Sequence, residues 1–231
     1  AVIVFVDSRG GSAAASEAMA AAIEELAKSR PVITYMHNVA ASGGYYVATP
    51  TRWIVTQPGT ITGSIGVISG KATTGALYDK LRLNRIEMTR GANADFLTDT
   101  RPLTPANRER MRQIVEHLYG QFIGRVAESR SMTREAVDAI AGGRVWTGKQ
   151  ALEYGLVDAL GGLDVALKHA RKLAKLPDDT PLVMTHPRDK TPIGPMLAEK
   201  ANPAAWVRYV NDGIRLLYTG RALFMDADLI E

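Results

Sequence analysis

A serine set among very small residues is the feature of this sequence with the clearest chemical potential. Ser42 is followed directly by Gly43 and Gly44, and glycines let the backbone turn sharply and let a substrate carbonyl approach the amide N–H groups. The apolar run at residues 31–36 predicts a strand just before it, so Ser42 lies at a strand-to-helix junction. The serine is therefore a candidate nucleophile. The alternative is that it only caps the helix that follows.

Gly10 and Gly11 form a second small-residue loop, between a predicted strand at residues 1–6 and a predicted helix at about residues 14–28. The run 1–6 is typical of a buried parallel strand, and the repeated order of strand, loop and helix favours a parallel sheet with right-handed crossovers. Because loops at the carboxyl ends of such strands meet at one edge, we expect this loop to lie near Ser42. The N–H groups of Gly43 and Gly11 would then bind an oxyanion, unless the glycine pair is only a tight turn.

A general base for the serine is harder to find. His37 lies five residues before the serine, His117 and His169 fall in predicted helices, and His186 lies in a proline-rich stretch. None of these four histidines is placed as the partner of Ser42 in a catalytic triad. Lys71 is the nearest lysine downstream and is a candidate base, or else a loop lysine in solvent. The sequence has no carboxylate pair and no cluster with metal-ligand spacing, so we predict neither a metal nor a cofactor.

The composition narrows the class of protein. The chain has 231 residues, of which 46% are hydrophobic and 23% charged, and this is enough for a large core. Its net charge is +4, but the 28 basic residues are scattered among 24 acidic ones, which argues against nucleic-acid binding. The absence of cysteine excludes disulfides and thiolate metal sites. No run of about 18 apolar residues and no signal-peptide pattern is present.

The rest of the chain divides at about residue 176. Before it, strands are predicted at residues 53–56 and 85–88 and helices at residues 74–83, 105–130, 132–141 and 163–176, with a capping box from Thr147 to Gln150. After it, four prolines between residues 180 and 195 predict an extended connector. A last helix starting near Pro203 has an apolar stripe, which would dock on this protein, on a neighbouring subunit or on a membrane surface. We therefore predict a domain at 1–176 and a connector with a helical tail at 177–231.

Four motifs occur in a specific order: DSRGGS at 7–12 with ASE at 15–17, AASGGYY at 40–46, TGSIGV at 62–67, and GRVWTG at 143–148. Over about residues 1–176 the chain resembles the signal peptide peptidase A family, also called protease IV, whose members are serine–lysine peptidases. The resemblance implies an α/β fold of the crotonase/Clp-protease type, a superhelix of repeated β-β-α units with a parallel sheet, here followed by the C-terminal helical appendage.

Carried over by position, the resemblance implies that Ser42 is the nucleophile and that Gly11 and Gly43 are the oxyanion donors. It also implies that the hydroxyl of Ser64 orients the base, a lysine whose pKa is lowered by desolvation. In short members of the family that lysine lies downstream, at the position that is Ala94 here. The alanine is similar to the second copy of the long, two-copy members, in which the first copy carries the lysine.

This similarity leads us to expect a preceding copy with the lysine, a membrane anchor and further strands upstream of residue 1. Arg9 departs from the family, which usually has proline before the two glycines. The implied function is a serine endopeptidase that cleaves released signal peptides at the cell membrane, with its catalytic part outside the cytoplasm and as a homo-oligomer. Two alternatives stay open, namely a crotonase-like acyl-CoA enzyme and a non-catalytic scaffold of the same fold. Against the first, no acidic residue near either glycine loop is placed as its acid–base.

Overall fold

The computed structural model describes residues 1–91 and 93–185, in which a six-stranded sheet is flanked by helices. In chain order the elements are β1 (Val2–Ser8), α1 (Ala13–Ser29), β2 (Val32–Ala41), α2 (Gly43–Ala48), β3 (Ile54–Thr56), β4 (Ile61–Gly63), α3 (Gly75–Lys80), α4 (Pro105–Arg130), α5 (Arg134–Ile140), β5 (Val145–Thr147), α6 (Gly148–Glu153), β6 (Ala159–Leu160) and α7 (Leu163–Ala174). The predicted tail helix lies outside the described residues.

Strand β2 is the centre of the sheet. One of its edges pairs in parallel with β1, and the other pairs in parallel with β3 near the start of β2 and with β4 near its end. Strand β6 pairs in parallel with β3, whereas β5 runs antiparallel to β4. The fold is therefore α/β, as predicted, but the sheet expected to be parallel is mixed, because β5 runs antiparallel. The positive φ angles of Gly142 (66°) and Gly143 (77°) turn the chain so that β5 returns against β4.

The two faces of β2 pack against different helices. On one face, Met36 belongs to a buried cluster with Tyr45 of α2 and with Phe122 and Val126 of α4. On the other face, Ile33 and its neighbours pack against α7. Alternation along the strand thus puts α2, and the end of β2 that leads into it, on the side of the long helix α4. Strand β1 is less buried than its apolar sequence predicts, with one face only partly covered.

The helix α4 agrees with its prediction, because local signals fix both ends. Thr104 accepts a hydrogen bond from the Asn107 N–H at 3.1 Å and Pro105 occupies the first turn, while Ser131 ends the helix in the left-handed conformation. The capping box at α6 is also present. In the part of the chain that the structure describes, no helix is both long and apolar enough to span a membrane.

The strand predicted at residues 85–88 is wrong. This stretch has no regular secondary structure and finds no neighbouring strand. Side chains hold it instead: Arg85 pairs with Asp99, and Arg101 pairs with Glu87 at 3.3 Å and with Asp95 at 2.8 Å. Short alternating sequences form a strand only where another strand can take up their backbone groups. Among residues 1–91 and 93–185, no strand pairs with this loop.

Candidate active site

Ser42 occupies the single-residue junction between β2 and α2. Its φ of 53° and ψ of −119° produce a sharp turn, and its N–H donates to the Gly63 carbonyl at 2.9 Å. Its carbonyl accepts a hydrogen bond from the Tyr46 N–H at 2.9 Å, within the first turn of α2. The side chain makes no capping hydrogen bond. The Ser42 side chain therefore does not cap the helix, and its role as a nucleophile stays a prediction.

The backbone at Ser42 is strained, and so is that at Ser64. Among the described residues five non-glycine residues have positive φ. Ser131 and Lys175 end helices in the ordinary left-handed conformation, and Arg82 directly follows the end of α3. The remaining two are Ser42 and Ser64, at 53° and 48°. Such conformations cost about 1–3 kcal/mol each and cluster at functional sites.

The glycine loop after β1 lies directly against this turn. Gly10 has a φ of 98°, and a Cβ atom added to it would lie 2.7 Å from the Gly43 nitrogen and 2.8 Å from both the Ala41 oxygen and the Ser42 Cβ. Only glycine fits this contact. The predicted meeting of the two loops is therefore observed. The Gly10 N–H donates to Ser8 Oγ at 3.1 Å, so this amide is already occupied.

The amides of Gly11 and Gly43 are neighbours. A Cβ atom on Gly43 would lie 3.3 Å from the Gly11 nitrogen. Neither N–H donates to another residue in the described ranges 1–91 and 93–185. Gly43 is the first residue of α2, and the first N–H groups of a helix have no partner within it. Two unsatisfied amides beside a serine match the arrangement that an oxyanion needs.

Helix α1 packs against the segment that carries the Gly11 and Gly43 amides. Ser12 caps α1 by accepting a hydrogen bond from the Ala15 N–H at 3.4 Å, and the buried Ser16 hydroxyl donates to the Ser12 carbonyl at 3.0 Å. A Cβ on Gly43 would collide with Ser16 Oγ, and one on Gly44 would lie 2.7 Å from the Ser8 oxygen. The absence of side chains at Gly43 and Gly44 thus lets α1, β1 and α2 pack closely enough to bring the two amides together.

A buried tyrosine anchors α2 at its other side. The Tyr45 hydroxyl donates to the Leu156 carbonyl at 2.8 Å, and its side chain is fully buried. Burial raises the pKa of this phenol well above its usual range. Tyr45 therefore stays protonated and serves as a structural donor.

The segment that contains Ser64 is held by the chain between α5 and α6. The Ser64 N–H donates to the Arg144 carbonyl at 2.7 Å, and the Gly143 N–H donates to the Ile65 carbonyl at 2.9 Å. A Cβ on Gly63 would lie 2.8 Å from the indole ring of Trp146. The sequence motifs at 62–67 and 143–148 are therefore one structural unit, and Gly63 links it to Ser42. The Ser64 hydroxyl bonds to no other described residue, and its role beside a base stays a prediction.

No described side chain is assigned as the base by its contacts. Ala94 lies in a turn, where its N–H donates to the Gly91 carbonyl at 3.3 Å. Lys71 follows Ser69, whose hydroxyl contacts Met111 Sδ at 3.0 Å. Met111 lies about 16 Å along α4 from Phe122, since a helix rises 1.5 Å per residue, and it is Phe122 that packs against α2. Ser69, two residues before Lys71, therefore contacts α4 about three turns away from the residue that packs against α2.

The histidines have structural partners. His37 Nδ1 lies 3.4 Å from both the Tyr35 hydroxyl and Gln57 Nε2, and the His169 ring stacks on Trp53 with a centroid distance of 4.1 Å. His117 contacts Gln121, one turn further along α4. His186 lies outside the described residues. Within those residues no group of three or more histidine, aspartate or glutamate side chains could hold a metal ion.

The sequence reasoning missed three features of the site. Gly10, rather than Gly11, makes the close approach to Ser42, and only its position after β1 could have signalled this. The burial of Ser16 beneath Gly43 and the contact of Arg125 with the first turn of α2 bring together residues far apart in the chain. No local pattern in the sequence indicates either contact.

A strained serine at a strand-to-helix turn, with two unpaired amides beside it, is the geometry that acyl transfer to a serine requires. The sequence pattern of Peptidase family S49 matches residues 24–177. The chain belongs to this peptidase family.

Named relatives agree with that membership. The protein "Serine protease SPPA, chloroplastic" of Arabidopsis thaliana is 43% identical over 178 residues, which are 77% of this chain and 26% of that protein. "Protease 4" of Salmonella typhi is 39% identical over 177 residues, or 76% of this chain and 28% of its own length. "Putative signal peptide peptidase SppA" of Enterococcus faecium is 34% identical over 194 residues, or 82% and 55%. The chain thus spans between about a quarter and just over half of these relatives.

Proposed function

We propose that this chain carries the nucleophile and the oxyanion-binding amides of a serine endopeptidase. The observation that carries the proposal is the strained Ser42, whose hydroxyl does not cap α2, beside the unpaired N–H groups of Gly11 and Gly43. Membership of a peptidase family supports peptide bonds as the substrate. The names of two relatives, Protease 4 and signal peptide peptidase, support cleaved signal peptides as the substrate class.

In the proposed reaction, Ser42 Oγ attacks the scissile carbonyl carbon while a neutral lysine takes the hydroxyl proton. The carbonyl oxygen becomes an oxyanion, which the N–H groups of Gly11 and Gly43 stabilise. Collapse of this intermediate breaks the peptide C–N bond, and the leaving amine receives the proton from the lysine ammonium. Water then attacks the acyl-enzyme, the lysine takes its proton, and the second collapse returns a proton to Ser42 Oγ.

The lysine is proposed to come from outside this chain, from a preceding copy of the fold in the same protein. Ala94 at the matching position supports this arrangement. Ser64 is proposed to orient the lysine, because its strained backbone is tied through Gly63 to the candidate nucleophile. Robust peptide hydrolysis by the isolated 231-residue chain would refute the proposal that the lysine comes from outside this chain, and Lys71 would become the candidate base.

The setting of the reaction is part of the proposal. A homo-oligomer, attached to the cell membrane through a segment outside this chain and with its catalytic part outside the cytoplasm, fits signal peptides as substrates. The repeated β-β-α superhelix of the crotonase/Clp type, with residues 1–176 as the peptidase domain and 177–231 as connector and tail, is likewise proposed. The α/β sheet with its glycine-amide loops at the carboxyl ends of β1 and β2 supports that fold.

The test is peptidase activity of the complete protein on signal-peptide sequences. We expect Ser42→Ala to lower kcat by at least about a thousandfold, as loss of a nucleophile does. Ser131→Ala is the matched control, since Ser131 has the same φ but lies at the end of α4. Retained activity in Ser42→Ala would refute the proposal. Tight acyl-CoA binding by calorimetry would favour the acyl-CoA alternative, and failure of an acylating probe to label Ser42 would favour the scaffold.

A further inference from the structure

The second tyrosine of the AASGGYY motif is joined to two other helices by a polar cluster. The Tyr46 hydroxyl donates to the Glu17 carboxylate of α1 and accepts a hydrogen bond from Arg125 Nε of α4 at 3.2 Å. Arg125 Nη2 in turn donates to Glu17 at 2.8 Å, and Nη1 donates to Glu24 at 3.3 Å. The guanidinium carbon lies 5.3 Å from the centre of the Tyr46 ring. We call Glu17, Tyr46 and Arg125 the Tyr46 cluster.

The cluster connects the two helices that start at the proposed oxyanion donors. Helix α1 begins two residues after Gly11, and α2 begins at Gly43 itself. Tyr46 also donates its N–H to the Ser42 carbonyl at 2.9 Å, so its position is coupled to the nucleophile turn. Any shift of α1 relative to α2 changes the separation between the two amides. The tight contact beneath Gly43 leaves little slack for such a shift.

Stability alone gives a poor account of this cluster. The Glu17 and Glu24 side chains are 51% and 57% exposed, and ion pairs so exposed contribute little because solvent screens them. Geometry is a better account, since a displacement of about 1 Å at a reacting group can cost a hundredfold in rate. The T-shaped packing of the Tyr46 ring on Phe122, at 4.9 Å between centroids, adds a fixed third support from α4.

We propose that Tyr46, held by Glu17 and Arg125, is a positioning residue that sets the separation of the Gly11 and Gly43 amides for binding the oxyanion. The inference rests on the proposed acyl transfer at Ser42. Tyr46 touches no reacting atom and acts through α2. Its removal should therefore weaken binding of the transition state more than binding of the substrate.

Two measurements test the proposal. In the complete enzyme, Tyr46→Phe keeps the ring and removes the hydroxyl, and we expect kcat to fall by about tenfold to a hundredfold with KM changed by less than about twofold. Affinity for a peptide aldehyde, which forms a tetrahedral adduct, should fall with kcat. Tyr78→Phe is the matched control, because the Tyr78 hydroxyl of α3 likewise donates to a carboxylate, that of Asp99 at 3.3 Å, and accepts a hydrogen bond from an arginine, Arg85 at 3.4 Å. Its kcat should stay within about threefold of the parent value.

The second measurement needs no activity. In the 231-residue chain, the ¹H–¹⁵N signals of Gly11 and Gly43 should shift or broaden in Tyr46→Phe and not in Tyr78→Phe. The signal of Gly161, whose N–H donates to the Thr56 carbonyl just before α7, should stay in place in both variants. Should Tyr46→Phe fail to fold, Arg125→Gln serves in both experiments with the same expectations. Unchanged Gly11 and Gly43 signals overturn the positioning role, as does an unchanged kcat when those signals move.

These outcomes are distinct from failure of the proposed function. If the complete enzyme with Ser42→Ala keeps its activity, acyl transfer at Ser42 is refuted whatever the amide signals show. If Ser42→Ala is inactive but Tyr46→Phe raises KM and leaves kcat unchanged, the proposed function stands and the positioning role is overturned. Loss of kcat together with displaced amide signals supports both.

Discussion

Replacement of Gly10 by alanine tests the contact on which the whole site depends. The added Cβ would lie 2.7–2.8 Å from the Gly43 nitrogen, the Ala41 oxygen and the Ser42 Cβ. Two of these atoms are backbone atoms in β2 and α2 and cannot rotate away. A φ of 98° also disfavours any residue with a Cβ. The clash would therefore push the glycine loop and the nucleophile turn apart.

The expected size of the effect follows from two contributions. A strained φ at a residue with a side chain costs about 1–3 kcal/mol, and overpacking a tight contact costs about 1–3 kcal/mol. Together they predict a loss of about 2–6 kcal/mol of unfolding free energy. At about 2–4 °C per kcal/mol for a chain of this size, Tm should fall by about 4–24 °C. Circular dichroism during thermal and urea unfolding measures both quantities.

Gly11→Ala is the matched control. A Cβ at Gly11 meets no atom within 4 Å, its φ is not positive, and alanine keeps the backbone N–H. We expect its stability to stay within about 0.5 kcal/mol of the parent, as for substitutions that disturb no packed contact. Equal stability of the Gly10→Ala and Gly11→Ala variants would refute the close approach of the glycine loop to Ser42, and with it the proposed pair of amides.

Three further predictions concern strain, a buried ion pair and pH. Ser42→Gly should raise the unfolding free energy by about 1 kcal/mol relative to Ser42→Ala, because glycine relieves the strained φ; equal stability in urea unfolding would contradict the strain. Arg130→Ala should lower the unfolding free energy by about 3–5 kcal/mol, since it leaves the partly buried Asp158 without its bidentate partner at 2.7 and 3.0 Å. Arg112→Ala, on the exposed face of α4, is the control and should leave Tm nearly unchanged. The hydrogen bond from Tyr46 holds the pKa of Glu17 below its ordinary value. The ionised Glu17 carboxylate therefore contributes to the unfolding free energy, by less than about 1 kcal/mol for so exposed a group. This contribution is complete above the unfolded pKa of about 4.3 and is lost as pH falls through the lower folded pKa. The Tm difference between the parent and Glu17→Gln should therefore shrink below about pH 4, and a difference that grew there would contradict this sign.

The elements that local signals define were predictable from the sequence. Helix α4 has a capping threonine, a proline in its first turn and a left-handed end, and each of these acts within a few residues. Ser42 was also recognisable, because only small residues permit the turn in which it lies. The strand expected at residues 85–88 was wrong, and the antiparallel strand β5 was not predicted, since pairing depends on partners that lie far along the chain.

The sequence by itself determined which residues could do chemistry: a serine followed by two glycines, and a glycine loop one strand earlier. Only the tertiary structure decided how they are used. It brings Gly10 against Ser42, leaves the Gly11 and Gly43 amides unpaired side by side, and ties α1 to α2 through the Tyr46 cluster. The physical reason is that strand pairing and helix packing fix the separation of amides about thirty residues apart in the chain, and no local pattern encodes such a distance.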